Sequence, residues 1–250
     1  MKTFYTSERE AWREWLADHF ETESEIWFVF PMKESGDKAL SYNDAVEEAL
    51  CFGWIDSTIK HIDPTHRAQR FTPRKKGSPY SRPNIERLIW LDERGMIHPS
   101  VRESVLPLIR APYVFPDDIL DAIKEDEVAW ANYKELSEPY KRIRIAYIDA
   151  ARKRPDEFEK RLESFIKKTR GGGLIIGFGG IDKYYTQDRQ LPVVTPLPRK
   201  YCPAINEKKL GKLLPEPFGF AWPCASPSKR DDPPKKQIEK RGQKPEGKTY

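Results

Sequence analysis

Proline placement constrains this chain more than any other feature. A proline lacks a backbone N–H and has a fixed φ, so it opens helices and ends strands but is costly inside either. Of the 22 prolines in 250 residues, 11 fall after Tyr184, where helical periodicity also vanishes. Before that point they punctuate: Pro99, Pro116, Pro139 and Pro155 each head a predicted helix. The chain therefore reads as one folded domain, residues 1–185, followed by a Pro/Lys-rich tail over 186–250 whose composition is that of disorder.

Within the folded part the period changes once. Ser7 is placed to cap a helix carrying Trp12, Trp15, Leu16 and Phe20, and Glu25 to Pro31 reads as a buried strand. Ser41 caps the clearest helix, with Tyr42, Ala45, Val46, Ala49 and Leu50 on one stripe and Gly53 closing it. Cys51 falls on the buried side of that helix, and Glu47-Glu48 falls on what reads as a solvated face. Trp54 to Lys60 and Gln69 to Thr72 alternate as strands about an Asp63-Pro64 turn. Beyond Asn84 come helices at 85–93, 99–110, 116–124, 126–136, 139–152 and 155–170. The predicted class is α+β and mostly helical, with a small antiparallel sheet in the N-terminal half packed by several helices. Gly171 to Gly180 lacks a phosphate-loop ending and reads as a flexible wrap over the core.

Charge divides unevenly. Residues 183–250 hold 15 Lys/Arg against 7 Asp/Glu, leaving 29 against 32 for residues 1–182. Nucleic-acid binding is thus expected only through the tail. No stretch approaches the ~20 apolar residues of a membrane span. The start, Met1-Lys2-Thr3-Phe4-Tyr5 followed by charges, lacks a secretory pattern, and the three cysteines fit reduced thiols, so the expected compartment is the cytoplasm.

The chemistry-bearing segment is Arg67 to Arg87, with seven basic residues against the single acid Glu86. Guanidinium forks bind carboxylate or phosphate bidentately and hydroxyls add short hydrogen bonds. The candidate ligand-binding residues are Trp54, Asp56, Lys60, Arg70, Arg74, Lys75, Ser78, Ser81, Asn84 and Arg87, facing a small anionic ligand or an acidic partner. The alternative is a solvated loop whose arginines pair with nearby acids. Asp56 and Lys60, four apart on a strand, share a face as an ion pair or as an acid/base pair of an unrecognised enzyme working with Arg74. His61, His66, Asp56 and Asp63 lack metal-site spacing, and no nucleophile elbow occurs, so no metal, cofactor or catalytic residue is assigned. Within the strand Gln69 to Thr72, Phe71 is expected to face the core and Arg70 the other side. Arg74, beyond Pro73, is expected to be free to turn toward the Trp54 and Asp56 end of the sheet.

Tyr42-Asn43-Asp44-Ala45-Val46-Glu47-Glu48-Ala49-Leu50-Cys51-Phe52-Gly53-Trp54-Ile55-Asp56-Ser57, then Gln69-Arg70-Phe71-Thr72-Pro73-Arg74-Lys75 and Ser78-Pro79-Tyr80-Ser81-Arg82-Pro83-Asn84, resemble the YdeI/OmpD-associated, or bacteriocin-protection, family. Trp12 to Leu16 and Ala150 to Pro155 extend the resemblance over residues 3–170. It implies a role in resisting antimicrobial peptides or envelope stress and brings no catalytic residue. Tyr80 stands where the family pattern has a tryptophan.

Overall fold

A computed structural model of the chain describes residues 1–177 and 181–185, and the tail predicted over 186–250 lies outside them. All described residues belong to the first of two units into which the chain divides, Met1–Ala204 and Ile205–Tyr250. The elements run β1 (Thr3–Phe4), α1 (Arg9–His19), β2 (Ile26–Pro31), α2 (Tyr42–Cys51), β3 (Trp54–Asp63), β4 (His66–Pro73), α3 (Arg82–Glu93), α4 (Pro99–Arg110), α5 (Asp117–Lys124), α6 (Glu127–Glu135), α7 (Glu138–Asp149) and α8 (Pro155–Arg170), then a 3-10 turn at Ile181–Tyr184.

The sheet order is β1-β2-β4-β3. Its β2–β4 and β4–β3 pairs are antiparallel, as expected, but β1 runs parallel to β2, so the sheet is mixed. A two-residue strand carries no alternation to read, and the α1 crossover returns the chain in the same direction, which makes the pair parallel. One cap also differs. Glu8, not Ser7, occupies the N-cap of α1, and the Ser7 hydroxyl donates to Glu8 Oε1 at 3.0 Å.

Other local expectations hold. Ser41 Oγ accepts from Asp44 N at 3.0 Å, and Gly53 closes α2 with φ of 71°, with Val101 within 3.4 Å of where a Cβ would stand. Ile26, Phe28 and Phe30 of β2 meet Trp12 of α1 and Phe71 of β4 in one hydrophobic core. Trp12 lies edge-on to Phe28 at 5.0 Å and to Phe71 at 5.6 Å, and its indole N–H donates to Ala45 O at 3.0 Å.

α2 departs from the reading of a helix with one wet face. It packs against α1, β3 and α3, and Glu47 and Glu48 are 0% and 1% exposed. The solvated Glu47-Glu48 face is therefore a buried ionic one. The helical half docks through α3 on α7, where Glu86, 3% exposed, accepts from Arg82 Nε at 2.7 Å and from Arg142 Nε and Nη2 at 2.7 and 2.8 Å. Past α8, Ile175 N donates to Tyr140 Oη at 2.9 Å, and Ile181, Tyr184 and Tyr185 are buried, so the described residues on either side of 178–180 pack on the core, while 178–180 of the predicted wrap lie outside the described residues.

Candidate functional site

β4 is the element that builds the site. Its register sets Phe71 opposite Ile26 and Asp56, and Arg70 opposite Trp27. Phe71 is fully buried, whereas Arg70 points to the other face and donates from Nε to Glu25 Oε2 at 2.7 Å. That bond holds the Glu25 carboxyl below its usual range. Pro73 then ends the ladder, and the chain turns into a loop that carries Arg74 to Ser78.

At this end of the sheet lies a cleft of about 560 Å³. Four of the predicted residues, Arg70, Arg74, Lys75 and Ser78, line it, joined by the hydroxyl residues Ser24 and Thr72 and by the apolar Ile55 and Pro73. Among the described residues no acidic side chain lines it. Arg74 Nη2 donates to the Ser78 and Pro79 carbonyls at 3.2 and 2.8 Å, its guanidinium lies 3.7 Å over the Tyr80 ring, and its backbone N–H donates to Gly53 O at 2.9 Å. Burial raises the Tyr80 phenol, against the pull of that guanidinium. Arg74 thus holds the loop in shape as well as facing the cleft. Lys75 is exposed and has no ion-pair partner among the described residues.

The other candidates lie elsewhere. Trp54 is fully buried and donates its indole N–H to Phe20 O at 3.1 Å, so it belongs to the core. Asp56 accepts from Tyr42 Oη at 2.6 Å and from Gln69 Nε2 at 3.2 Å. Burial first, and then the Asp56 carboxylate, raise the Tyr42 phenol. Lys60 lies 4.7 Å over the Trp27 ring. A register irregularity between Asp56 and Ile59 breaks the alternation, so the four-residue spacing no longer keeps Asp56 and Lys60 on one face. Arg74 stands at the Trp54 end of the sheet, lining the cleft beside Ile55, with its guanidinium on the Ser78 and Pro79 carbonyls and the Tyr80 ring. Ser81 caps α3 by position without a side-chain bond, while Arg87 donates to Asn43 Oδ1 at 2.9 Å and Asn84 Oδ1 at 2.9 Å, tying the first turns of α2 and α3 together.

Sequence reasoning missed the buried ionic cluster on α2. Arg9 donates from Nε to Glu48 at 2.5 Å, from Nη1 to Asp44 at 2.6 Å and from Nη2 to Glu47 at 3.1 Å. Arg13 donates to Glu48 at 2.5 Å and to Met96 O at 2.6 Å. Burial works against the Arg9 charge, yet Glu48, Glu47 and Asp44 outweigh it and raise its pKa. The readable signal was the Arg9/Arg13 pair, four apart on α1, facing acids on a helix rich in alanine. Burial pushes the Cys51 thiol up to about 12, which makes it a poor nucleophile. Among the described residues no three His, Cys, Asp or Glu side chains converge to hold a metal.

Two family models match the chain. Residues 4–104 match a domain of unknown function, DUF8412, and residues 112–172 match the family described as bacteriocin-protection, YdeI or OmpD-associated. The first covers the sheet and α1 to α3 with part of α4, and the second covers α5 to α8. The cleft and the motifs at 42–84 that carry the resemblance therefore lie in the first match, whereas the family match itself is in the helical half. No curated protein and no solved structure matches the chain.

Proposed function

Taking residues 112–172 to place the chain in the YdeI/OmpD-associated family, we propose that its work is to bind a small anion, or an acidic group of a partner, at the cleft below β4, in the service of resistance to stress or antimicrobial peptides. The observation that carries this reading is the convergence of Arg70, Arg74, Lys75 and Ser78 on one cleft of about 560 Å³ with no acidic residue among the described residues of its lining. Three cationic side chains and three hydroxyls bring donors to the cleft, Arg70 sharing its charge with Glu25 and Lys75 having no ion-pair partner among the described residues, and such donors are what a carboxylate or phosphate oxyanion requires. Ile55 and Pro73 give an attached apolar group a surface to lie on. The family description supplies the resistance role and no reaction.

The enzyme reading has less support, since Asp56 sits on Tyr42 and Gln69, Lys60 on Trp27, and Arg74 on its own loop. Binding of nucleic acid through the tail rests on residues outside those described. Among the described residues, no helix is long and apolar enough to cross a membrane.

The test is a thermal-shift panel of phosphates and carboxylates against wild type, Lys75→Ala and Arg70→Ala. At least one anion should raise the wild-type melting point, and Lys75→Ala should weaken that anion while its own melting point stays near wild type. If no anion shifts the wild type, the reading fails.

A further inference from the structure

The 3-10 turn at Ile181–Tyr184 packs on α3 and sends two side chains to the acidic face of α2. Lys183 sets its ammonium in ion contact with the Glu47 carboxylate, 3.9 Å from Asp44 Oδ1 and 4.6 Å from the centroid of the Trp90 ring. Tyr184 donates to the same Glu47 carboxylate and lies edge-on to Trp90 at 5.8 Å. A compact cation between carboxylates and an indole face is attracted by both, and each attraction grows as water is excluded.

The charges show why a cation belongs there. Direct ion contacts link three carboxylates, Asp44, Glu47 and Glu48, to two guanidinium groups, Arg9 and Arg13. Lys183 adds a further positive charge from a segment far along the chain. Arg87 lies nearby with its guanidinium on the Asn43 and Asn84 amide oxygens. Glu47 is built into the helix with its side chain 0% exposed, whereas the Lys183 side chain is 33% exposed. The anion is fixed and its cation arrives from the solvent side on a flexible stem. Trp90 Nε1 is buried with no hydrogen-bond partner among the described residues, which leaves an unused donor on the ring that the ammonium covers.

We propose that Asp44, Glu47 and Trp90 form a binding site for a primary ammonium group, that Lys183 fills it as an internal ligand, and that a lysine side chain of a cationic peptide competes for the place. The swap needs only Lys183 to swing into solvent, while Tyr184 and Tyr185 keep their seats. An arginine fits less well, because a planar guanidinium is broader than the compact ammonium the site holds. The site is separate from the anion cleft, and either reading can fail alone.

The experiment uses the full chain carrying Lys183→Ala, with n-butylammonium as probe and n-butanol as its uncharged control. The variant should melt below wild type, and n-butylammonium should recover at least half of that loss while butanol recovers none. A short peptide containing one lysine, followed by tryptophan fluorescence, should bind the variant at least tenfold more tightly than wild type, and its norleucine counterpart should lose that gain. Adding Glu47→Gln should abolish the response; if that double variant does not fold, Lys183→Ala with Asp44→Asn should weaken it severalfold. A Lys183→Ala protein whose melting and fluorescence ignore the amine overturns the proposal, as does an equal response from wild type.

Discussion

Arg70 and Arg74 stand four apart in one basic run and do different work. Arg70 spends part of its charge on Glu25 across the sheet surface, at 2.7 Å. Arg74 clamps the Ser78 and Pro79 carbonyls and covers Tyr80, so it shapes the loop it was expected merely to use. Arg74→Ala should therefore cost about 1–2 kcal/mol of stability, from lost hydrogen bonds and ring contact. Arg74→Lys should recover less than half of that in a urea titration, because an ammonium cannot span two carbonyls and a ring as a planar fork does. Glu47 lies at the other extreme of burial. Glu47→Ala leaves Arg9 and Asn43 facing a hole, and breaking a buried pair by removing one partner costs about 3–5 kcal/mol. Thermal melts of Glu47→Ala and Glu8→Ala side by side check this, the second being an exposed control expected within about 0.5 kcal/mol of wild type.

Two elements depend on polar turns that can be probed singly. α2 starts at Ser41, whose hydroxyl accepts from Asp44 N at 3.0 Å and donates to Asp44 Oδ2 at 2.6 Å. Ser41→Ala should cost about 1 kcal/mol. The turn of the β3–β4 hairpin is held differently. His66 Nδ1 lies 3.1 Å from Asp63 Oδ1, its Nε2 is 3.4 Å from Asp37 Oδ2, and Asp63 also accepts from Thr65 N at 2.7 Å. The bond to Asp63 raises the His66 pKa above 6.5, and Thr65, with His66, lowers Asp63 to about 2. A raised histidine contributes while it is protonated and loses its contribution as pH rises through its folded value. A lowered carboxylate contributes above its unfolded value and loses its contribution as pH falls toward about 2. The clamp is therefore complete between about pH 4 and 6.5. NMR titration of the His66 ring should place its midpoint above 6.5, and Asp63→Asn should bring it back toward that value.

At the scale of the molecule, the boundary between the two family matches, 4–104 and 112–172, is crossed by a buried ion pair. Glu86 on α3 receives two bonds from Arg142 on α7 and two from Arg82. Glu86→Ala should cost about 3–5 kcal/mol, since two guanidinium groups lose a carboxylate that is nearly out of water. Loosening of α7 should appear in hydrogen exchange before loosening of β2 and β4. The tail is predicted from composition to add little, because its prolines and charges cannot bury enough apolar surface to offset about 1–2 kcal/mol of backbone entropy per residue. Deleting residues 190–250 should leave the melting point unchanged.

What the sequence determined by itself was local: helix starts at Ser41 and Pro155, the left-handed close at Gly53, the Phe71/Arg70 alternation and the convergence of a basic run near Pro73. Each is written in spacing, side-chain shape or backbone freedom within a few residues. The tertiary structure alone decided where distant charges would meet. Glu47 and Glu48 look wet in sequence because adjacent acids on a helix are normally solvated, and only the closure of α1, α3 and residues 181–185 around α2 removes the water. Asp56 and Lys60 look paired until an irregularity, set by the β4 register, turns them to opposite faces. Burial and register are properties of many residues at once, so no short window of sequence encodes them.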